Sequence, residues 1–340
     1  MTQISFDIQQ DVKKIIGLLL VLIAMLAGII FYVEYQVGPI DYFSPHVVEV
    51  EIPTGSSVIQ IAQILEDAGL VRKAEYFTAL CRFMGVEGKM KAGYYEFNTG
   101  MSVKEMIEKI VSGEVATYKL TIPEGLTVKE MAPFIEKKTG ISTEEFLKAA
   151  REFKLDFLPE REDVEFQVEG FLFPDTYYVP VKATARDLIQ IMVNRFKKVV
   201  GIEPVEVRGR TLSILELITI ASLIEEEAKL DGDRPLVSGV IYNRLERGMK
   251  LQLCASVLYV LGEKKERLSL ADTKIDSPYN TYQILGLPPG PISNPGLKSI
   301  KAALNPEESD YLFYFALPDG TTYYSKTYEE HLRAVKKYLD

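Results

Sequence analysis

The sequence predicts a mixed α+β protein that begins with a membrane-spanning helix. Three features predict this class: a long uncharged apolar segment near the N-terminus, a repeated strand–turn–helix pattern after it, and a C-terminal part in which apolar helices precede an aromatic hairpin. The 340 residues suffice for two or three domains. We predict a tail, a membrane helix, a linker, a repeat region and a C-terminal lobe, bounded as 1–14, 15–33, 34–46, 47–166 and 167–340.

Composition excludes several classes of function. The chain has 39 Lys and Arg against 48 Asp and Glu, a net charge of −9, which argues against nucleic acid as a partner. Cys81 and Cys254 stand far apart in apolar surroundings, so two buried thiols are favoured over a disulfide, and no metal-binding spacing is present. The chain has two histidines, His46 and His331, so a catalytic system with a Ser or Cys nucleophile activated by histidine is disfavoured. We predict neither a metal nor another cofactor.

The apolar segment sets the expected location. Residues 15–33 carry no charge and are long enough to span a bilayer as a helix. Lys13 and Lys14 precede the segment and no Lys or Arg follows until Arg72, so the positive-inside bias predicts a cytoplasmic N-terminus with the rest outside. The alternative is a cleaved signal peptide, but residues 31–35 lack the small side chains of a cleavage site. We expect a single-pass anchor retained in the plasma membrane.

An internal repeat follows the linker. Residues 51–62 and 121–132 share the pattern Ile-Pro-x-Gly-x-x-Val-x-x-Ile/Met-Ala, and residues 98–107 form a partial copy. In each unit a strand ends at the turn, and Ser or Thr caps a helix with an apolar stripe. Small β-α-α units of this kind resemble LysM modules, which bind N-acetylated glycans. The alternative, which we weigh equally, is that the repeat region serves only to hold the C-terminal lobe away from the membrane.

The predicted helix over residues 212–229 carries the strongest chemical signal. It is apolar until it ends in Glu225, Glu226 and Glu227. A turn of ~100° per residue places Glu227 on the apolar stripe and Glu226 with Ser222 on a polar side, while Glu225 lies about 200° from Glu227. A carboxyl on an apolar stripe has a raised pKa, so Glu227 is a candidate proton donor. The alternative is that all three glutamates are solvent-exposed at the end of the helix and have no catalytic role.

Glycosidases of the usual kind need two carboxyl groups that face each other across the sugar. Glu225 and Glu227 point apart and cannot form that pair. A mechanism with a single acid therefore fits better, unless a second carboxylate comes from Glu169, Asp175 or Asp276.

The C-terminal part contains a loop suited to a hydroxylated ligand. Residues 277–282 combine Tyr, Asn and Thr without a helix or strand period, and residues 286–296 are rich in Pro and Gly. Tyrosine rings can stack on sugar faces, and rigid loops commonly carry function. Residues 311–316 and 321–325 flank the turn signal Asp319-Gly320 and predict a β-hairpin, with a helix from Tyr328. Together with the acidic helix, these features indicate an enzyme that cuts a sugar polymer.

The chain resembles the endolytic lytic transglycosylases of bacterial cell walls, the MltG or YceG-like family. The resemblance runs from the anchor to the C-terminus and is specific through the combination of its motifs. They comprise residues 169–177, 221–228, 243–245, 248–249, 251–252, 277–282, 286–292, 294–296, 302–306, 324–327 and 330–331.

The resemblance implies a membrane-anchored lyase with a LysM-like region and a lysozyme-like mixed catalytic lobe. Such an enzyme cleaves the MurNAc-β-1,4-GlcNAc bond inside nascent peptidoglycan strands and leaves 1,6-anhydroMurNAc ends, with one glutamate as acid and then base. Its partners would be the glycan strands, the bilayer and, as the family suggests, peptidoglycan synthases. The alternatives are a non-catalytic glycan-binding scaffold and a two-carboxylate muramidase.

The resemblance also implies roles for particular residues. In related lytic enzymes the acid ends a helix before a small residue, which Glu227 before Ala228 matches, with Glu225 as the alternative. Two positions depart from many relatives: Cys254 replaces an acidic residue, and Thr322 replaces a histidine. The implied substrate-binding residues are Glu169, Gln252, Ser256, Tyr259, Tyr279, Asn280 and Tyr282.

Overall fold

A computed structural model describes residues 2–263, 265, 268–317 and 320–339, with side chains from residue 16 onward. Helices and strands are interspersed along these residues, which confirms the α+β class. The chain divides into two compact units, residues 1–117 with 180–182 and residues 118–179 with 183–340.

The first helix, α1, runs over Thr2–Val37. Within the described residues, Ile16–Val37 is the single helical stretch long and apolar enough to cross a membrane. The helix continues to Val37 because no Pro or Gly stands between Gly28 and Gly38, so residues 34–37 belong to the helix and not to the predicted linker. Arg72 donates to the carbonyl oxygens of Tyr35 and Gly38 at 2.8 and 2.9 Å, which satisfies acceptors at the end of the helix.

The rest of the first unit surrounds a small core. Strands β1 (Val47–Ile52) and β2 (Gly93–Asn98) pair antiparallel, with Val47 opposite Asn98 and Ile52 opposite Gly93. Ser57 and Ser102 cap their helices with capping boxes, as the repeat predicts. The elements are β1 (Val47–Ile52), α2 (Val58–Asp67), α3 (Ala74–Met84), β2 (Gly93–Asn98) and α4 (Val103–Ser112). Their shared core contains Ile61, Leu65, Phe77, Tyr95, Phe97 and Met106.

The second unit is mainly helical. Its elements are β3 (Thr117–Thr121), α5 (Val128–Thr139), α6 (Thr143–Glu152), β4 (Thr176–Pro180), α7 (Ala185–Val199), β5 (Val205–Val207), β6 (Arg210–Leu212), α8 (Ile214–Glu227), α9 (Arg234–Glu246), α10 (Cys254–Leu261), α11 (Leu297–Leu304), β7 (Phe313–Ala316), β8 (Thr322–Ser325) and α12 (Tyr328–Tyr338). The four pairs β1–β2, β3–β4, β5–β6 and β7–β8 are two-stranded sheets of the described residues.

The predicted boundary at Gln167 is not where the two units divide. The apolar side chains of α5 and α6, including Met131, Ile135 and Phe146, are buried in the same core as Ile220 and Leu223 of α8. The second copy of the repeat therefore belongs to the second unit, although its sequence matches the first copy. Two similar sequence segments form similar helices and turns, but each can be buried in a different hydrophobic core.

Helix α8 is the centre of the second unit and packs against α9, α10 and α11. Each of residues 217–224 is buried, so the helix is enclosed on all sides until its last turn. The predicted polar side at Ser222 is wrong, because this side chain is fully buried. Its hydroxyl donates to the carbonyl of Thr219 at 2.8 Å and accepts from the Ile292 N–H at 3.1 Å, which satisfies it inside the core.

Two further sequence predictions are settled by local structure. β7 and β8 form the predicted hairpin, with Tyr314 opposite Tyr324, whereas Asp319 of its predicted turn lies outside the described residues. Both cysteines are free, but the prediction of two buried thiols is wrong: Cys81 is buried and Cys254 is exposed.

Candidate active site

A cleft of about 1260 Å³ opens on the second unit. Its walls come from the start of α5, the end of α8, α10, the loop that includes residues 277–282, the β7–β8 hairpin and α12. This volume exceeds that of common small-molecule pockets, roughly 300–1,000 Å³, and therefore suits an extended ligand.

Glu227, the last residue of α8, lies in this cleft. The Ala255 N–H donates to its Oε1 at 3.1 Å, and the Tyr314 hydroxyl donates to its Oε2 at 3.0 Å. Burial raises the pKa of Glu227, while these two donors and the positive charge of Arg244 act in the opposite direction. The carboxyl group is thus biased toward its protonated form, yet partners are in place for the carboxylate that remains after proton transfer.

Ala255 belongs to the first turn of α10. Backbone N–H groups at a helix N-terminus carry a partial positive charge that favours a nearby anion. The direction of α10 therefore supports the charged form of Glu227 as well as its orientation.

Arg244 brings a cation to the same cleft and is fixed by backbone carbonyl groups. Its Nε donates to Leu312 O at 2.6 Å, and its Nη1 donates to Leu251 O at 2.7 Å and to Lys250 O at 3.1 Å. The same Nη1 lies 3.4 Å from Oε1 of Gln252. Because the guanidinium is held by fixed acceptors, its charge has a defined position relative to the cleft.

Glu225, the alternative acid, has a different environment. Its Oε1 pairs with Nη1 of Arg234 at 3.2 Å, and its Oε2 accepts from the Gly296 N–H at 2.9 Å. The side chains of Glu225 and Arg234 are only 7% and 11% exposed. Glu225 does not line the cleft and shares no hydrogen-bond partner with Glu227, in keeping with the predicted divergence of the two side chains.

Glu169 is a buried carboxyl at the wall of the cleft. It accepts from the backbone N–H of Val128, the first residue of α5, at 3.1 Å and from the side-chain amide of Asn294 at 2.9 Å. Burial raises the pKa of Glu169 to about 8, although both donors lower it. At neutral pH this group is therefore mostly protonated.

The predicted tyrosines do meet at the cleft. Tyr259, Tyr279 and Tyr282 all line it, and the ring centroids of Tyr259 and Tyr279 lie 5.0 Å apart. The Tyr282 hydroxyl lies 3.3 Å from the Cys254 sulfur. Burial raises the pKa of Tyr279 to about 12, so its phenol stays protonated and can donate a hydrogen bond.

Gln252 also lines the cleft and is exposed. Its φ of 50° lies in the left-handed region, which is uncommon for a residue with a side chain and occurs preferentially at functional sites. The Gln252 N–H donates to Thr281 O at 3.0 Å, which holds this conformation against the tyrosine-rich loop.

Two predicted substrate-binding residues do not reach the cleft. Ser256 is fully buried, and its hydroxyl bonds the Leu253 carbonyl and the Thr281 hydroxyl. Asn280 is fully buried as well, and its amide donates to two backbone carbonyls, including Ile275 O at 2.7 Å. Both side chains hold the loop together, so the prediction that they line the cleft is wrong.

Of the other acids considered for a second carboxylate, neither Asp175 nor Asp276 lines the cleft. Asp175 pairs with Arg195 at 2.6 Å, and Asp276 is exposed. Among the described residues, no group of three or more His, Cys, Asp and Glu side chains could hold a metal ion.

A family model described as the YceG-like family matches residues 50–337. The chain belongs to the YceG-like family. The match spans both units and includes the cleft, and it confirms the family that the sequence motifs indicate.

Relatives of this family member carry a shared name. A protein from Bacillus subtilis strain 168, named endolytic murein transglycosylase, is 34% identical over 330 residues, covering 93% of this chain and 91% of the relative. A protein of the same name from Streptococcus pneumoniae strain R6 is 34% identical over 363 residues, covering 97% of this chain and 66% of the relative. A crystal structure of a yceG-like protein from Listeria monocytogenes superposes with a TM-score of 0.56 at 34% identity and covers 86% of this chain and 100% of that one.

The cleft of this YceG-like protein contains residues that sequence reasoning missed. Tyr314 was assigned to the hairpin without a role, yet it bonds Glu227. Phe313, Tyr328 and His331 also line the cleft, although no site role was predicted for them. The available signal was the run of consecutive aromatic residues at 313–315, which places rings on both faces of the predicted strand.

Proposed function

We propose that this protein is an endolytic lytic transglycosylase that cleaves the MurNAc-β-1,4-GlcNAc bond inside nascent peptidoglycan strands and leaves 1,6-anhydroMurNAc ends. The observation that carries the proposal is Glu227, a desolvated carboxyl held by two donors in a cleft large enough for a polymer. The names of relatives that are 34% identical over most of the chain point to the same reaction.

In the proposed reaction, Glu227 acts first as acid and then as base. Its carboxyl proton passes to the glycosidic oxygen as the bond from that oxygen to C1 of MurNAc breaks. The C6 hydroxyl oxygen of the same MurNAc forms a bond to C1, and its proton returns to the Glu227 carboxylate. No water is consumed, and the enzyme ends in its starting protonation state.

The environment of Glu227 supports both half-steps. Burial favours the protonated acid that the first step needs. The Tyr314 hydroxyl and the Ala255 N–H then stabilise the carboxylate that the second step needs. Glu225 is a weaker choice for this role because it does not line the cleft and is held in a buried ion pair with Arg234.

A two-carboxylate hydrolase finds less support. Glu169 is the one predicted second carboxyl that lines the cleft, but its pKa of about 8 leaves it mostly protonated at neutral pH. A nucleophile or base must be ionised to act. Glu169 is also held by Val128 and Asn294, which suits a role in orienting the wall of the cleft.

Substrate contacts are proposed for the remaining cleft residues. Tyr259, Tyr279 and Tyr282 offer ring faces and protonated hydroxyl groups to sugars. Gln252 has its Oε1 near Arg244, which can only donate, so its amide N–H groups are left for an acceptor such as an N-acetyl carbonyl oxygen.

The N-terminal helix supports a location at the plasma membrane. The stretch Ile16–Val37 is apolar enough to cross a membrane, and its residues 16–35 are exposed. Lys13 and Lys14 before it favour a cytoplasmic N-terminus, which would place the residues after the helix on the side where nascent glycan strands are made. Peptidoglycan synthases at the same surface are proposed partners, and a LysM-like role for the first unit is proposed on the basis of the repeat.

The decisive experiment is mass spectrometry of the products formed from purified, uncrosslinked glycan strands. We expect internal fragments that end in 1,6-anhydroMurNAc with the wild-type protein. Glu227→Gln should abolish cleavage while glycan binding survives, and Glu225→Gln should retain cleavage per folded molecule. Fragments with free reducing ends would indicate a hydrolase, and binding without any fragments would indicate a scaffold.

A further inference from the structure

An aromatic cluster forms part of the cleft wall where β7 meets α12. Phe313 and Phe315 are two positions apart on β7 and so share a face of the strand. Tyr328 and His331 are three positions apart on α12 and so share a face of the helix. The His331 ring lies 5.5 Å from both Phe313 and Phe315 and 6.3 Å from Tyr328, centroid to centroid. We call these four side chains the aromatic platform.

The aromatic platform faces the cleft, since all four side chains line it. Packing the hairpin onto α12 would account for partly buried rings, but Tyr328 is 61% exposed. A large aromatic ring left open on the wall of a cleft is a common mark of a binding surface.

One polar atom of the aromatic platform lacks a partner. Nδ1 of His331 is buried and has no hydrogen-bond partner in the part of the chain that the structure describes. A buried polar atom without a partner costs free energy, which a ligand hydroxyl group would recover. The cluster therefore combines ring faces with a neutral polar edge, as burial and the charge of Arg244 lower the pKa of His331.

The aromatic platform is continuous with the catalytic part of the cleft but separate from it. Tyr314, which bonds Glu227, stands between Phe313 and Phe315 and so points to the other face of β7. Arg244 connects the two sides, because its guanidinium lies 4.9 Å from the centroid of Phe313. A chain ligand bonded at Glu227 could therefore extend along the cleft to the aromatic platform.

We propose that the aromatic platform is a sugar-binding subsite for a pyranose ring of the glycan strand other than the two joined by the cleaved bond. The apolar C–H face of an N-acetylated sugar packs on the rings of Tyr328 and Phe313, while its hydroxyl groups bond His331 and the Tyr328 hydroxyl. The inference rests on the proposed function for the nature of the ligand. It adds a contact that only strands long enough to reach α12 can make.

The test measures binding in the Glu227→Gln background, so that no ligand is cleaved. The probes are peptide-free glycan strands, sorted into a short and a long fraction, with affinity determined by calorimetry. Tyr328→Ala should weaken binding of the long fraction by roughly tenfold and leave the short fraction unchanged, because only long strands reach the platform. Tyr328→Phe, which keeps the ring, should recover most of the affinity.

Tyr338→Ala is the matched control. Tyr338 stands on the same helix and is 40% exposed, but it packs on Tyr323 and does not line the cleft. Its replacement should leave both affinities unchanged. The proposal would be overturned if Tyr328→Ala bound long strands as tightly as the parent does. It would also be overturned if Tyr328→Ala lost equal affinity for short and long strands, or if Tyr338→Ala lost as much affinity as Tyr328→Ala.

The outcome is separable from that of the proposed function. If Tyr328→Ala binds long strands as the parent does, while the wild type still releases 1,6-anhydro products, the subsite is refuted and the lyase stands. If the wild type releases no such products and Tyr328→Ala nevertheless weakens binding of long strands, the lyase is refuted and the subsite stands.

Discussion

The hydroxyl of Tyr314 donates a hydrogen bond of 3.0 Å to Oε2 of Glu227. The two residues are 87 positions apart and belong to the C-terminal hairpin and the end of the central helix. The bond is partly buried at the wall of the cleft, where a lower local dielectric strengthens it. It therefore couples the position of the hairpin to the protonation of the proposed catalytic acid.

Tyr314→Phe should slow glycan cleavage and shift its pH dependence. The bond stabilises the carboxylate, so its loss raises the pKa of Glu227 further. Because the protonated acid is the active form, the alkaline limb of the rate profile should move to higher pH. The turnover number should fall about 10- to 100-fold, as expected for a lost hydrogen bond to a charged group. Both effects are read from rates measured across a pH series.

Tyr324→Phe is the control for this prediction. Tyr324 is the cross-strand neighbour of Tyr314, and its ring centroid lies 6.0 Å from that of Tyr314, but it does not bond Glu227. The alkaline limb should be the same as in the wild type. An unshifted limb in Tyr314→Phe would show that the hydroxyl does not govern the proton of Glu227.

Glu225→Gln should destabilise the protein without removing its chemistry. The change removes the buried carboxylate partner of Arg234 and leaves its exposed partner Asp231, which should lower the free energy of unfolding by about 2 kcal/mol. Denaturant titration measures this cost, and replacing Arg234 by Gln as well should recover part of it. Loss of cleavage in the fully folded fraction of Glu225→Gln would instead transfer the role of acid to Glu225.

Gln252→Gly should change stability and binding in opposite directions. The left-handed backbone at φ 50° suits glycine, so the change should raise the free energy of unfolding by up to about 1 kcal/mol. Loss of the amide should weaken glycan binding, measured by calorimetry in the Glu227→Gln background. As a control, Arg208→Gly relieves a similar φ of 52° outside the cleft and should leave binding intact. If Gln252→Gly and Arg208→Gly bound glycan equally well, Gln252 would not be a substrate-binding residue.

Glu169 should make stability depend on pH. Its pKa rises from 4.5 in the unfolded chain to about 8 in the folded protein, so the folded protein retains a proton that the unfolded chain releases. The resulting contribution to stability is complete below pH 4.5 and is lost as the pH rises through about 8. The free energy of unfolding of the wild type relative to Glu169→Gln should therefore fall across this range.

Glu145→Gln is the control, because the Glu145 carboxyl contributes to stability with the opposite dependence on pH. The Glu145 carboxylate bonds Ser142 at the start of α6, and these bonds lower its pKa. Its contribution is present above its ordinary pKa and is lost only as the pH falls through the lowered value. For Glu145→Gln, the free energy of unfolding relative to the wild type should stay constant between pH 4.5 and about 8. The same constancy for Glu169→Gln would contradict the raised pKa of Glu169.

Helix periodicity predicted the acidic helix well, but not what surrounds it. The divergence of Glu225 and Glu227 follows from the helical turn per residue, and the structure retains it. The polar side assigned to Ser222 was wrong because a second segment, at Ile292, satisfies its hydroxyl inside the core. Such partners come from distant parts of the chain, and no local pattern specifies them.

The same limit applies to the loop of residues 277–282. Composition correctly marked it as part of the cleft, and Tyr279 and Tyr282 do line it. Composition could not tell these side chains from Asn280, because a residue that binds a ligand and one that ties a loop to itself use the same polar groups.

By itself, the sequence determined the apolar N-terminal helix, the capped helices, the hairpin and the family, because each depends on local periodicity or on motifs along the chain. The tertiary structure decided which unit each repeat joins and which carboxyl groups are desolvated. It brought Tyr314 and Arg244 to Glu227 and left Tyr328 open in the cleft. Burial and hydrogen bonding between distant segments exist only once the chain is packed, and they set the proton affinities on which the proposed chemistry depends.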